Sequence, residues 1–328
     1  MSGTLPVVSV VVIGRNEGDR LVRCLLSVLR PDRLVVYVDS ASTDGSAKRA
    51  EAMGAKVVSL DSTVPFTAAR ARNAGLWAAL EAVQDIEFVQ FVDGDCEVNA
   101  QWIDGAKSFL SARQDVAAVC GRRRERFPDS SVYNGLCDIE WDTPIGQARS
   151  CGGDVMMRTR PLRDAGGYRE SMIAGEEPEL CVRLRAAGWK VWRLDAEMTL
   201  HDAAMNSLPQ WWKRTCRAGH AYAEGAHLHG APPERHNVAQ VRRALAWGLF
   251  LPGAAIAGGM TVSAAWLLAL LVYPAQILRL ALRGNPAGLR RWQSAFFLTL
   301  GKFPECQGVL TFHLNRLRGH RTGLIEYK

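Results

Sequence analysis

The chain has 328 residues, 48% of them hydrophobic and 22% charged, a composition that supports a sizeable buried core and excludes a disordered or fibrous protein. Its net charge of +7 is unevenly placed: residues 203 to 328 hold 15 Lys and Arg against 4 Asp and Glu, whereas residues 1 to 202 hold 25 against 29. The eight cysteines contain no C-x-x-C pair and no charged, apolar leader precedes the first apolar run, so a reduced cytosolic domain without zinc or a secretion signal is expected.

The predicted elements alternate two periods. "VVSVVVIG" (7–14) reads as a buried strand, and residues 19–29 carry Leu21, Val22, Leu25, Leu26 and Leu29 at helical spacing until Pro31. A strand at 33–39, a short helix closed by Gly54, a strand at 55–60, a helix over 67–83 and a strand at 86–95 follow. This order predicts a parallel sheet covered on both faces, which binds ligands beyond the carboxyl ends of its strands. Three polar loops fall there: "GRNEGD", "DSASTDGS" and "DGDCE".

From residue 115 the pattern loosens. "DVAAVCGRRRERF" reads as a strand running into a basic loop, "CGGDVMMR" as a strand opened by two glycines, and "GEEPELCVRLRAAGW" as a helix with acids in its first turn and Gly188 at its end. Residues 244–278 contain no charged side chain. They allow one span of about 20 residues or two short helices broken near Pro252 or Gly258-Gly259. Arg242, Arg243, Arg279 and Arg283 flank this stretch, and Trp247, Trp266 and Tyr273 are suited to an interface. A membrane-associated hairpin or re-entrant segment is expected, with a buried or oligomer-forming helix pair as the competing reading. The basic tail therefore points to a membrane surface and not to nucleic acid, for which no strand platform or recognition helix is readable.

The "DGD" at 93–95 sets two carboxylates one residue apart on a turn, where both can face one hard cation and leave positions open for phosphate oxygens. Alone it is a weak signal, because acidic turns are common. Together with "VVIGRNEGDRLVRCLLSV", "VDSASTDGS" and "GEEPELCVRLRAAGW", in this order, it resembles the family 2 glycosyltransferases over roughly residues 6–205.

The resemblance implies an A-type glycosyltransferase fold: an α/β, Rossmann-like mixed sheet with helices on both faces. The expected division is a catalytic domain at 1–205, amphipathic basic connecting helices at 206–243, an apolar membrane-associating segment at 244–283 and a basic tail at 284–328. Gly14, Arg15, Asn16 and Glu17 would lie against the nucleoside, and Asp39 would accept from the base. A carboxylate can accept from the imide N–H of uracil, which adenine and cytosine lack, so a UDP-sugar donor is favoured. Asp44 belongs to the same loop. Arg70, Arg72 and Asn73 would face the donor, Asp93 and Gly94 the ribose or a metal-bound water, and Asp154 the sugar hydroxyls.

Asp95 would bind a divalent metal, Mg or Mn, with Asp93 beside it and His201 as a further ligand. Family members usually show Glu-Asp at the start of the late helix, the Asp serving as the base that takes the acceptor proton. Here the pair is Glu176-Glu177. Glu177 is the expected base and Glu176 the second candidate. The Gln-x-x-Arg-Trp pattern of processive synthases fails, since Lys213 and Arg214 follow Gln210 at those offsets, so transfer of one sugar is expected. Trp211 and Trp212 suit either an interfacial helix or a core, and His220, His227 and His229 have no metal-site spacing.

The expected activity is inverting, metal-dependent transfer to a hydroxyl of a lipid-linked or envelope polysaccharide acceptor at the cytoplasmic face of the inner membrane. Two other readings compete. A nucleotidyltransferase would open with a glycine-rich, arginine-containing loop that "IGRNEGD" lacks. A catalytically silent sugar-nucleotide-binding protein is hinted at only by the Glu-Glu departure.

Overall fold

The computed structural model describes residues 8–83, 85–283 and 289–319. The start of the first predicted run, Val7, and residues 284–288 and 320–328 of the basic tail lie outside these. The described residues fall into two compact units, Met1–Arg126 with Glu140–Met172 and Glu176–Ala203, and Phe127–Ile139 with Ile173–Gly175 and Ala204–Lys328.

The first unit is built on a nine-stranded mixed sheet. Four strands, β1 (Val8–Gly14), β2 (Leu34–Asp39), β3 (Lys56–Ser59) and β4 (Phe88–Asp93), run parallel in the order β3-β2-β1-β4. The continuous Val, Ile and Phe runs of β1, β2 and β4 are buried on both sides, as helix-covered parallel strands require, while β3 at the edge is only half-buried. The helix Ala68–Ala82 lies so close to the sheet at Gly75 that a Cβ there would collide with Val11 and touch Val38 at 2.9 Å.

Beyond β4 the sheet changes direction. β5 (Cys96–Val98), β6 (Val116–Glu125), β7 (Gly146–Ala148), β8 (Val155–Arg158) and β9 (Lys190–His201) complete it. β8 enters antiparallel between β4 and β6, with Phe91 opposite Val155 and Val119 opposite Met156. β6 and β9 are parallel, and β5 and β7 each pair antiparallel with β9. The run "RRRE", expected as loop, is strand: β6 continues to Glu125 beside β9. Register shifts on either side of Arg122 explain why alternation failed there, since a bulge re-aims the side chains that follow it. Arg122 faces Asp142, Arg124 pairs with exposed Glu197, and Arg123 turns inward.

The second unit is helical. Leu208–His229 packs against Lys302–Leu317 at two glycines: a Cβ on Gly219 would strike the Glu305 backbone, and one on Gly308 the Cys216 carbonyl. Trp211 is core, edge-on to Phe297 at 4.9 Å, while Trp212 donates to Gln307 at 2.8 Å. His220 is buried against Phe312.

The uncharged stretch forms two helical segments, Val238–Thr261 and Ala264–Arg283, each long and apolar enough to cross a membrane. The break lies at Val262 and Ser263, where the Ser263 hydroxyl accepts from the Ala265 N–H. It is close to Gly258-Gly259, whose Gly258 carbonyl accepts from the N–H groups of Val262 and Ser263, and not at Pro252. Pro252 stands in the first turn of Leu251–Thr261, directly after a π-helical turn at Ala246–Phe250, and there its missing N–H does little harm. Gly258 and Gly259 are notches that receive the returning side chains of Trp266 and Leu267.

Candidate active site

Strand register assembles the site. Gly14 of β1 stands opposite Asp39 of β2, and Ile13 stands opposite Asp93 of β4, so three adjacent strands end at one level. The loops beyond them are tied together. The Asn16 side-chain carbonyl accepts from the Thr43 N–H at 2.7 Å, and the Asn16 N–H donates to the Ser42 hydroxyl at 2.9 Å. Asp44 accepts from the N–H groups of Gly18 (2.9 Å) and Ser46 (3.0 Å); burial pushes its carboxyl up, but the hydrogen bonds from Ser46 and Gly18 together hold it below the usual range. Asp39 is buried and accepts from the Tyr37 hydroxyl at 3.1 Å and the Ser42 N–H at 2.9 Å.

Gly94 closes this edge by donating to the Ile13 carbonyl at 2.8 Å; a Cβ on it would lie 3.1 Å from that oxygen and 3.3 Å from Glu17. Glu17 pairs with Arg20 at 2.8 Å. Arg15 and Arg70 both stack near the Phe66 ring, and Arg70 also donates to the carbonyls of Val64 and Asp61, tying down the loop before its helix. Asn73 likewise ties one segment to another, because its amide donates to the Tyr168 carbonyl and Glu170 and accepts from the Tyr168 N–H.

Two guanidiniums organise the acids. Arg72, only 2% exposed, reaches Glu176 at 2.8 Å, Glu177 at 2.9 Å and Asp93 at 3.0 Å. Arg123 bridges Asp93 at 2.9 Å and Asp154 at 2.7 Å. Burial alone would raise the Asp93 carboxyl, but Arg72 and Arg123 hold it below the usual carboxylate range. Gly153 sits against this cluster: a Cβ there would collide with the Arg72 guanidinium and lie 3.1 Å from oxygens of both Asp93 and Glu177. Glu177 differs from its neighbours. Burial first and the Glu176 charge second push it up to about 7, with Arg72 opposing them.

Asp95 and His201 come together where β5 pairs with the end of β9, Nε2 to Oδ1 at 3.3 Å. With Cys96 they place three potential ligand atoms within 4.8 Å of one another. A carboxylate and an imidazole are a donor set that fits a divalent cation such as Mg or Mn. The Cys96 thiol, pushed up by burial and then by the surrounding acids, stays protonated and is a poor partner for such an ion. Asp93, Cys96 and Asp154 form a second such group, but both of its carboxylates already pair with Arg123.

Sequence reasoning missed Arg123, Thr199, Trp141 and Glu125. Thr199 donates to Asp154 at 2.7 Å, Glu125 accepts from the Ala203 N–H at 3.0 Å, and the Trp141 ring lies edge-on to His201 at 4.8 Å and 5.4 Å from the Arg123 guanidinium. The one signal available was period-2 alternation through "RRRE", which the bulge at Arg122 obscures.

A mixed sheet whose parallel half ends in this row of acids is an A-type glycosyltransferase fold. It superposes on the mannosyltransferase PcManGT from Pyrobaculum calidifontis, solved in complex with GDP-Man and Mn2+, with a TM-score of 0.64 at 19% identity, covering 94% of this chain and 88% of that one. Residues 9–152 match the family described as Glycosyl transferase family 2. The succinoglycan biosynthesis protein ExoA of Rhizobium meliloti (strain 1021) is 26% identical over 211 residues, 60% of this chain and 64% of that protein. The glycosyltransferase AglE of Haloferax volcanii is 24% identical over 204 residues, 58% and 65% of the two chains. The chain thus spans just under two thirds of the length of these two curated relatives.

Proposed function

We propose that the chain is an inverting glycosyltransferase that moves one sugar from a nucleotide-diphospho-sugar, UDP-linked by preference, to a hydroxyl of a lipid-linked or envelope saccharide acceptor at the cytoplasmic face of a membrane. The observation that carries this reading is the single guanidinium of Arg72 touching both Asp93, at the end of β4, and Glu177, at the start of the helix Glu176–Ala186. It couples the donor edge to a carboxyl tuned to about 7, near the best value for a general base at neutral pH.

In this mechanism Glu177 takes the proton of the acceptor hydroxyl as that oxygen attacks the anomeric carbon from the face opposite the diphosphate. Glu176, 3% exposed and paired with Arg72, keeps the base high through its charge and keeps Arg72 in place. Asp39 accepts from the base, and the loops carrying Gly14 to Glu17 and Asp44 shape the nucleoside pocket. Asp95 and His201 would hold a divalent ion, which when bound offsets the charge that develops on the leaving diphosphate. ExoA's part in succinoglycan biosynthesis supports an envelope saccharide as acceptor. The two apolar segments, with 17% and 6% of their most apolar windows buried, support a membrane location.

A thermal-shift panel of nucleoside diphosphates with and without Mn tests the reading. UDP is expected to raise the melting temperature, more so with Mn, while ADP and CDP leave it unchanged. A ligand at one hundred times its Kd stabilises by about 2.7 kcal/mol. GDP is the comparison arm: guanine also offers a ring N–H to a carboxylate, and the solved neighbour holds GDP-Man. Asp95→Ala should abolish the Mn-dependent part and keep the unliganded melting temperature. A protein indifferent to every nucleoside diphosphate at saturation sinks the proposal.

A further inference from the structure

Asp154 offers no exposed oxygen to a sugar. Its side chain is fully buried; Oδ1 accepts from the Asp93 N–H at 3.0 Å, and Oδ2 accepts from the Thr199 hydroxyl at 2.7 Å and from Arg123 Nε at 2.8 Å. The carboxylate is a pedestal, and what stands on it is Arg123.

Arg123 is held from one side only. Nε and Nη2 meet Asp154 and Asp93, whereas Nη1 has no hydrogen bond to any described residue. Its side chain is 16% exposed, against 3% for Arg72, so solvent or a ligand can reach it. Around it lie Asp93 at the end of β4 and the Trp141 ring, and that ring also meets His201 of the candidate metal pair. A buried carboxylate paired with a guanidinium contributes little net stability, because desolvation offsets the attraction. Burying a whole carboxylate and a threonine hydroxyl beneath Arg123 is better explained by the need to aim it.

We infer that Arg123 binds the donor diphosphate, presenting its free Nη1–H edge to a phosphate oxygen beside the Asp95 and His201 pair, and that Asp154 and Thr199 are positioning residues for it. The site thereby holds a permanent cation as well as a place for a divalent one. A guanidinium suits this role because it forks onto phosphate oxygens and stays charged at every working pH. This assignment rests on the nucleotide-sugar reading above and gives the leaving group a recognition element that reading lacks.

The test compares UDP with uridine by titration calorimetry on the full chain, in EDTA so that no divalent ion contributes. Wild type is expected to bind UDP more tightly than uridine. In Arg123→Gln the ratio of the two affinities should fall about tenfold or more, the effect of losing a charged hydrogen bond, while uridine affinity stays put. Arg123→Lys should keep part of the ratio, and Thr199→Val and Asp154→Asn should lower it by smaller factors. Both ligands report on the same folded molecules, so the ratio is insensitive to any loss of folded protein. An unchanged ratio in Arg123→Gln overturns the assignment alone. Wild type that binds neither uridine nor UDP overturns the nucleotide-sugar reading, and this assignment with it.

Discussion

The two units solve opposite burial problems. The first hides charge: Glu179 and the Asp154 side chain are fully buried, and Arg72 and Glu176 nearly so, each neutralised by a partner. The second exposes grease: Met260 is 82% exposed and Val262 72%, with Trp266, Leu268 and Leu271 also open. Apolar exposure on this scale is out of place in water, and charge burial on this scale serves no stability purpose. Under the proposed function each unit suits an environment other than bulk water, one a desolvated reaction and the other lipid.

The sharpest way to break this contrast is at the hidden charges. Glu177→Gln should lower kcat/KM by about 10²- to 10⁴-fold, the usual worth of a general base. In wild type the rate should climb with pH through about 7 and then level off, because the ionised form does the work. Stability should move the other way. The folded value lies above the ordinary 4.5, so this carboxyl's contribution is complete below about 4.5 and lost as pH rises through about 7. Chemical denaturation across that window should show a decline in wild type that flattens in Glu177→Gln; a flat wild-type curve would contradict the buried-base assignment.

The exposed side is tested next by placing charge within the two apolar segments. Each carboxylate costs about 2.5–3.5 kcal/mol at the centre of a bilayer. Replacing the exposed Phe250 and Leu271, as Phe250→Asp with Leu271→Asp, should therefore cut co-flotation with anionic vesicles by about 100-fold or more while leaving nucleotide binding alone. Undiminished flotation would remove lipid from the account of this surface. The smallest expected effect is at Gly153→Ala, whose methyl group meets Arg72. A displacement of that guanidinium should slow turnover by about tenfold with little change in melting temperature, and full activity would mean the pocket is looser than it looks.

Much of the first unit was legible because its information is local. Runs such as Val8–Gly14 and Phe88–Asp93 end in glycine or acid at the point where burial stops, and that boundary marks the ligand edge. The tuning of Glu177 and the placement of Arg123 were not legible: the first depends on burial and on the charges of Glu176 and the sequence-distant Arg72, the second on β8 entering antiparallel between β4 and β6, a pairing of segments about 65 residues apart that no periodicity announces. Asp154 illustrates the difference. The family resemblance of its segment implied a sugar contact, whereas the sheet places it under Thr199 and Arg123. Pro252 misled for a related reason: it is a helix breaker by propensity, and the π turn before it absorbed it.

The level at which the three strands stop fixes a distance. Asp39 and Asp93 hang from β2 and β4 with one strand between them, so two inter-strand steps, about 9–10 Å, separate them by backbone geometry alone. Under the proposed function the sheet itself is then the ruler that sets how far the base contact at Asp39 stands from the acids that end β4.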